Sequence, residues 1–215
     1  MSQPRRIIIF GASGRIGRLL THQALDAGHR VTAFVLDEHT METFTHKNLT
    51  IQEGDATSPT DVEAAIPGHD AVISVLGHNR QTTVEMQSSA MRVITKAMQA
   101  HHIDRIVSLT GVGVFTVDDV PTILDRFFVS ALMFLQPKRI QDGIKHVEVL
   151  KSSDRDWVVL RTPKHRNASS TSNYQMRPTI AKNSFTVRRP NIVEELLRQV
   201  MLPEITERTP VISDR

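Results

Sequence analysis

The chain has 215 residues and a formal net charge of +3, with 40% hydrophobic and 23% charged residues, a balance that suits one globular domain with a sizeable core. It contains no cysteine, which excludes disulfides, thiolate metal sites and thiol catalysis. Basic residues fall in scattered pairs and there is one Trp and one Tyr, the longest apolar stretch, near 127–135, is far short of the roughly 20 residues that span a bilayer, and the first four residues are too short and polar for a secretion signal, so a cytoplasmic protein with neither nucleic-acid nor membrane partners is expected.

The first apolar run, 6–10, has strand character and meets three glycines spaced three apart, Gly11, Gly14 and Gly17, before a helical pattern over 15–27. Strand, tight turn and helix in that order set a pyrophosphate on a helix N-terminus, where free N–H groups and the dipole favour anions. Gly11 lets the chain turn, Gly14 lets backbone approach phosphate, and Gly17 lets the helix pack on the sheet. Gly28 suits a C-cap. A second strand, 30–35, leads to Asp37, twenty residues beyond Gly17. A carboxylate there accepts hydrogen bonds from ribose hydroxyls and repels a 2′-phosphate, which favours NAD. Arg15, in the glycine turn, argues the other way, since a guanidinium forks onto a 2′-phosphate or stacks over adenine. The cofactor is read as NAD(P)H, with NAD against NADP open.

A third strand, 50–52, precedes Gly54-Asp55-Ala56, where Asp55 either reaches an adenine amino group or makes an Asx turn. Thr60-Asp61-Val62-Glu63 reads as a capping box for a helix over 61–66, ended by Pro67-Gly68. The fourth strand, 71–75, ends at Leu76-Gly77, where a missing side chain lets a dinucleotide lie across the chain. Val84, Ala90, Met91, Ile94, Ala97 and Met98 form one stripe of a helix over 84–101. The fifth strand, 105–109, ends at Thr110-Gly111, close to the expected nicotinamide.

Beyond it, 111–135 is irregular and carries Phe115, Phe127, Phe128 and Phe134, an apolar lining for a planar ring. A helix over 137–152 follows, with His146 and Glu148 expected to face solvent or neighbouring helices. A sixth strand, 157–160, a polar irregular stretch, 162–184, and a last helix, 192–201, complete the pattern. The strands are apolar with little alternation, as in parallel strands buried on both faces. The alternation predicts an α/β single-domain Rossmann fold over 1–215: a doubly wound parallel sheet of order 3-2-1-4-5-6 with helices on both faces. A small substrate-side region is expected from 111–135 and 162–190. No metal-ligand spacing is present among the ten histidines.

With these motifs in place, the chain resembles the atypical short-chain dehydrogenase/reductases of the NmrA-like, NAD(P)H-binding type, nearest the biliverdin reductase B/flavin reductase branch. The carrying residues are Gly11-Ala12-Ser13-Gly14-Arg15-Ile16-Gly17, Gly54-Asp55-Ala56, the run from Asp70 to Gly77, Ile106-Val107-Ser108-Leu109-Thr110, Glu148-Val149-Leu150-Lys151, the run from Trp157 to Pro163, and that from Thr186 to Val193. The resemblance implies cofactor contacts at Gly11, Ser13, Arg15, Ile16, Asp55, Ala56, Leu76, Gly77 and Thr110. It departs at Gly111, where the flavin-reductase branch has serine, and near Lys164, where it has histidine.

Many short-chain dehydrogenases use Tyr-x-x-x-Lys as an acid–base pair. The one tyrosine, Tyr174, has Pro178 four residues later, so that pair is absent. Thr110 and Lys164 are the candidate catalytic groups, with His165 beside them. The expected activity is hydride transfer to a small conjugated acceptor such as a flavin or quinone, drawing its proton from solvent. The alternative is a nonenzymatic redox sensor acting through a protein partner.

Overall fold

Alternation along one strand sets the architecture. The computed structural model describes residues 3–78, 84–114, 130, 133–178 and 184–215, and in it β1 (Arg6–Phe10) lies inside an eight-stranded sheet, two strands from one edge. Ile7 and Ile9 enter one apolar core and Ile8 and Phe10 the other, as a period of two requires. Helices α1 (Arg15–Asp26) and α5 (Arg189–Met201) cover the first face with Leu20, Ala24, Val193 and Leu196. On the second face lie α2 (Pro59–Ala65), α3 (Met86–Ala100) and α4 (Pro137–Lys151), through Val62, Ile94, Met98, Val147 and Leu150.

The other strands are β2 (Arg30–Val35), β3 (Leu49–Glu53), β4 (Ala71–Ser74), β5 (Arg105–Gly111), β6 (Asp156–Thr162), β7 (Lys164–Arg166), β8 (Tyr174–Arg177), β9 (Thr186–Arg188) and β10 (Val211–Asp214). The sheet runs β3-β2-β1-β4-β5-β6-β10-β8. The six-strand order expected from the alternation is therefore present, parallel throughout, with β10 added parallel to β6 and β8 closing the edge antiparallel. β7 and β9 form a separate parallel pair.

Several expectations are corrected. The stretch 162–184 is not wholly irregular, because β7 and β8 lie in it; short, half-exposed edge strands carry no apolar run to announce them. The cap of α2 is Ser58, whose hydroxyl accepts from Asp61 N, with Pro59 inside the first turn, rather than Thr60. α3 begins at Met86, which leaves Val84 outside it and 45% exposed. α5 begins at Arg189, three residues before expected. At the end of α1, Gly28 takes φ +86° while its N–H bonds Leu25 O and His29 N bonds Ala24 O, a Schellman closure that needs the left-handed residue.

Two polar anchors tie the added strands down. Arg161 is fully buried and donates to the carbonyls of Thr209, Val114 and Pro178. The buried Asp214 carboxylate accepts from Asn191 Nδ2 at 2.9 Å, Arg188 N at 3.1 Å and Arg166 Nε at 3.1 Å. Among the described residues no helix is long and apolar enough to cross a membrane.

Candidate functional site

The ends of β1 to β5 bring the sequence motifs to one edge of the sheet. Gly11 has φ +82°, and a Cβ there would stand 3.1 Å from Leu76 N and from Val75 C and O. The turn is thus pressed against the chain leaving β4. A Cβ on Gly17 would lie 2.1 Å from Gly11 O and 2.7 Å from Ala12, so only glycine lets α1 start this close to β1. Gly14 is the N-cap, with no side-chain cap and no acidic residue in the first turn. The opening amides of α1 therefore lack the side-chain acceptor that usually satisfies them, and an anionic pyrophosphate fits that need. Arg15 is exposed beside them and Ile16 is buried. Arg18 braces the turn: its Nε donates to Ser13 O at 3.0 Å, another N–H goes to Thr40 O, and its guanidinium lies over Phe44.

At the end of β2, Asp37 is exposed and caps a short 3-10 helix (Glu38–Met41), Oδ1 accepting from His39 N at 3.0 Å. Its neighbour Leu36 is 74% exposed. Glu42, with Asp37 and Glu38 nearby, raises the pKa of His39 above the usual histidine range. Beyond β3, Asp55 makes an Asx turn, with Oδ1 accepting from Thr57 N and Oγ1, both at 2.8 Å. Ala56 is buried against the second core.

At the β4 end, Leu76 O accepts from Gln87 Nε2 at 2.6 Å, and Gly77 is exposed with nothing within 4 Å of a Cβ built on it. Gly54 differs: its Cβ would meet the Phe34 ring at 2.6 Å. The hydroxyl of Thr110 stands 3.0 Å from where Gly143 would carry a Cβ, so it points toward α4. Lys164 is exposed on β7 and its N–H donates to Phe185 O. No hydrogen bond joins Thr110 to Lys164. His165 Nε2 meets Thr162 Oγ1 at 2.8 Å, and burial, helped by Arg189, lowers its pKa to about 4. Phe115, Phe127 and Phe128 lie outside the described residues, and Phe134 is 88% exposed.

Among the described residues no lysine partners Tyr174. It lies on β8, and its hydroxyl donates to Glu195 Oε2 at 2.9 Å on α5. Burial and that carboxylate push its pKa well above the usual tyrosine range, which removes it from acid–base work near neutrality.

His146, expected at solvent or a helix contact, is instead buried under the sheet, 1% exposed, with its pKa lowered to about 4 by desolvation. It shares α4's inner face with Asp142, one turn earlier, whose side chain is fully buried. Neither Asp142 nor His78, 3.0 Å from it, was singled out by spacing; the only available signal is that Asp142 and His146 fall on the stripe of Val147 and Leu150. Among the described residues no cluster suits a metal ion.

A family model for NAD(P)H-binding proteins matches residues 11–201 of this chain. The fold is also that of solved proteins. A short-chain dehydrogenase/reductase from Veillonella parvula DSM 2008, in complex with NADP, matches with a TM-score of 0.80 at 20% identity, over 99% of this chain and 95% of that one. ChuY, an anaerobilin reductase from Escherichia coli O157:H7, matches with a TM-score of 0.78 at 17% identity, over 97% of each chain. A Rossmann-fold NAD(P)-binding family protein from Shigella flexneri matches with a TM-score of 0.77 at 16% identity, over 99% and 94%.

Proposed function

The chain belongs to the NAD(P)H-binding family, and from that premise we propose that it is an NAD(P)H-dependent oxidoreductase acting on a small conjugated acceptor such as a flavin or quinone. The observation that carries this reading is the uncapped first turn of α1, reached through the Gly11 turn that sits against the backbone of Val75 and Leu76. Gly11, Ser13, Gly14, Arg15 and Ile16 would hold the pyrophosphate, Asp37, Asp55 and Ala56 the adenosine half, and Leu76, Gly77 and Thr110 the nicotinamide half. When bound, the nicotinamide supplies the hydride. The protein supplies orientation and a cleft at the strand ends. A conjugated acceptor suits a chain whose sole tyrosine is held by Glu195, because delocalisation stabilises the charge that hydride addition creates.

The engagement of Tyr174 also favours a second reading, a nonenzymatic sensor that binds the dinucleotide and a protein partner. Calorimetric titration with all four nicotinamide forms, followed by turnover of FMN and menadione, tests both. Asp37→Ala improves NADPH relative to NADH, and Arg15→Ala weakens NADPH selectively, each by roughly tenfold, the worth of about one charge-assisted hydrogen bond. Binding without turnover of either acceptor leaves the sensor. No binding of any form overturns both.

A further inference from the structure

Under the ends of β4 and β5 the second core is interrupted by buried polar groups. Ser74 and Ser108 are buried register partners. Ser108 Oγ lies 3.3 Å from Ser74 O and 2.9 Å from His146 Nε2. His146 Nδ1 is buried and, among the described residues, without a partner. Asp142 Oδ2 accepts from Gln87 N at 2.9 Å and Oδ1 from Ser88 N at 3.0 Å, in the first turn of α3. The same Oδ2 stands 3.0 Å from His78 Nε2, on an imidazole nine-tenths buried and not aligned into a hydrogen bond. Such bonds are often poorly aligned before substrate binds.

Two backbone amides already serve this carboxylate, and an ionisable ring is an expensive addition for structure alone. Its place explains it better. His78 directly follows Leu76-Gly77, and a Cβ on Gly11 would stand 3.1 Å from Leu76 N as from Val75 C and O. A dinucleotide leaving the first turn of α1 and crossing the bare Gly77 arrives at His78. We propose that His78, oriented by Asp142, is the proton-carrying residue at the nicotinamide end of the site, the role that Tyr174 does not fill. This rests on the reading of the chain as an NAD(P)H-dependent reductase. In the reaction His78 gives one proton to the acceptor atom left anionic once hydride has come from the reduced cofactor. The acceptor gains two electrons, the cofactor departs oxidised, and His78 regains a proton from solvent. Asp142 is a positioning residue. The other titratable groups around the pair, among the described residues, are His146 and Lys145 on α4 and Glu85 before α3, the last two paired at 2.5 Å.

Calorimetry in buffers of unlike ionisation heat, from about pH 5 to 8, tests this on the intact protein. An imidazolium beside the cationic oxidised nicotinamide is repelled, whereas the reduced ring is neutral. Binding the oxidised form therefore releases more protons than binding the reduced form, by up to one proton. In His78→Gln both forms still bind and the difference vanishes. In Asp142→Asn both forms still bind and kcat falls by less than in His78→Gln, with KM for the reduced cofactor unchanged. With FMN or menadione as acceptor, His78→Gln lowers kcat about 100-fold and leaves KM for the reduced cofactor unchanged. Equal proton exchange for the two forms in the unaltered protein across this range overturns the proposal, whether or not the variants fold. Binding of neither form overturns the reductase reading itself.

Discussion

Two glycines separate packing from ligand access at the residue scale. Gly17 has no room for a methyl group, with Gly11 O 2.1 Å from the added carbon, while Gly77 has open space. Gly17→Ala is expected to cost about 1–3 kcal/mol through overpacking, read as a lower urea midpoint. Gly77→Ala is expected to leave the midpoint within about 0.5 kcal/mol while weakening dinucleotide binding several-fold, read by calorimetry. A loss of stability at Gly77 equal to that at Gly17 would contradict the assignment. The turn at Gly11 and the close packing at Gly17 were legible in the sequence because spacing and strand context speak to backbone geometry. Asp142 and His78 were not, because their meeting depends on how α4 packs against the start of α3, which no local spacing encodes.

At the scale of elements, α4 and β7 each hold a neutral imidazole away from water. Desolvation holds His146 at about 4, and desolvation with Arg189 nearby holds His165 at about 4. An unfolded chain protonates both near the usual value of about 6.5. Between those values the unfolded state binds protons that the folded state refuses, so stability is full above about pH 6.5 and falls as pH drops toward 4. Urea midpoints measured from pH 7 down to 5 should show this loss, and His165→Gln should flatten it. A midpoint that rises on acidification would contradict the burial of both rings. The long apolar elements were placed to within a few residues because buried parallel strands and amphipathic stripes leave strong patterns. β7, β8 and β10 were missed because strands of three or four residues, tied in by Arg161 and Asp214, leave no long apolar run, whereas β9 lies in the 186–193 segment that the family resemblance marks as a strand leading into a helix. The same locality explains the α2 cap: Thr60 and Ser58 are equally plausible as letters, and Pro59 decides between them.

The whole molecule gathers the ends of five parallel strands along one edge, and that order followed from alternation of strand and helix because short right-handed connections leave few other sheets. What alternation does not give is the polar interruption of the second core beneath that edge, where Ser74, Ser108, His146 and Asp142 replace apolar packing. The central claim is that a dinucleotide seats on the opening of α1 and crosses Gly77. Amide chemical-shift mapping during titration with the preferred nicotinamide form tests it most directly. The account predicts the largest shifts at Ser13, Gly14, Arg15, Ile16, Leu76 and Gly77. Saturable binding that leaves those amides unmoved and shifts another face would contradict it.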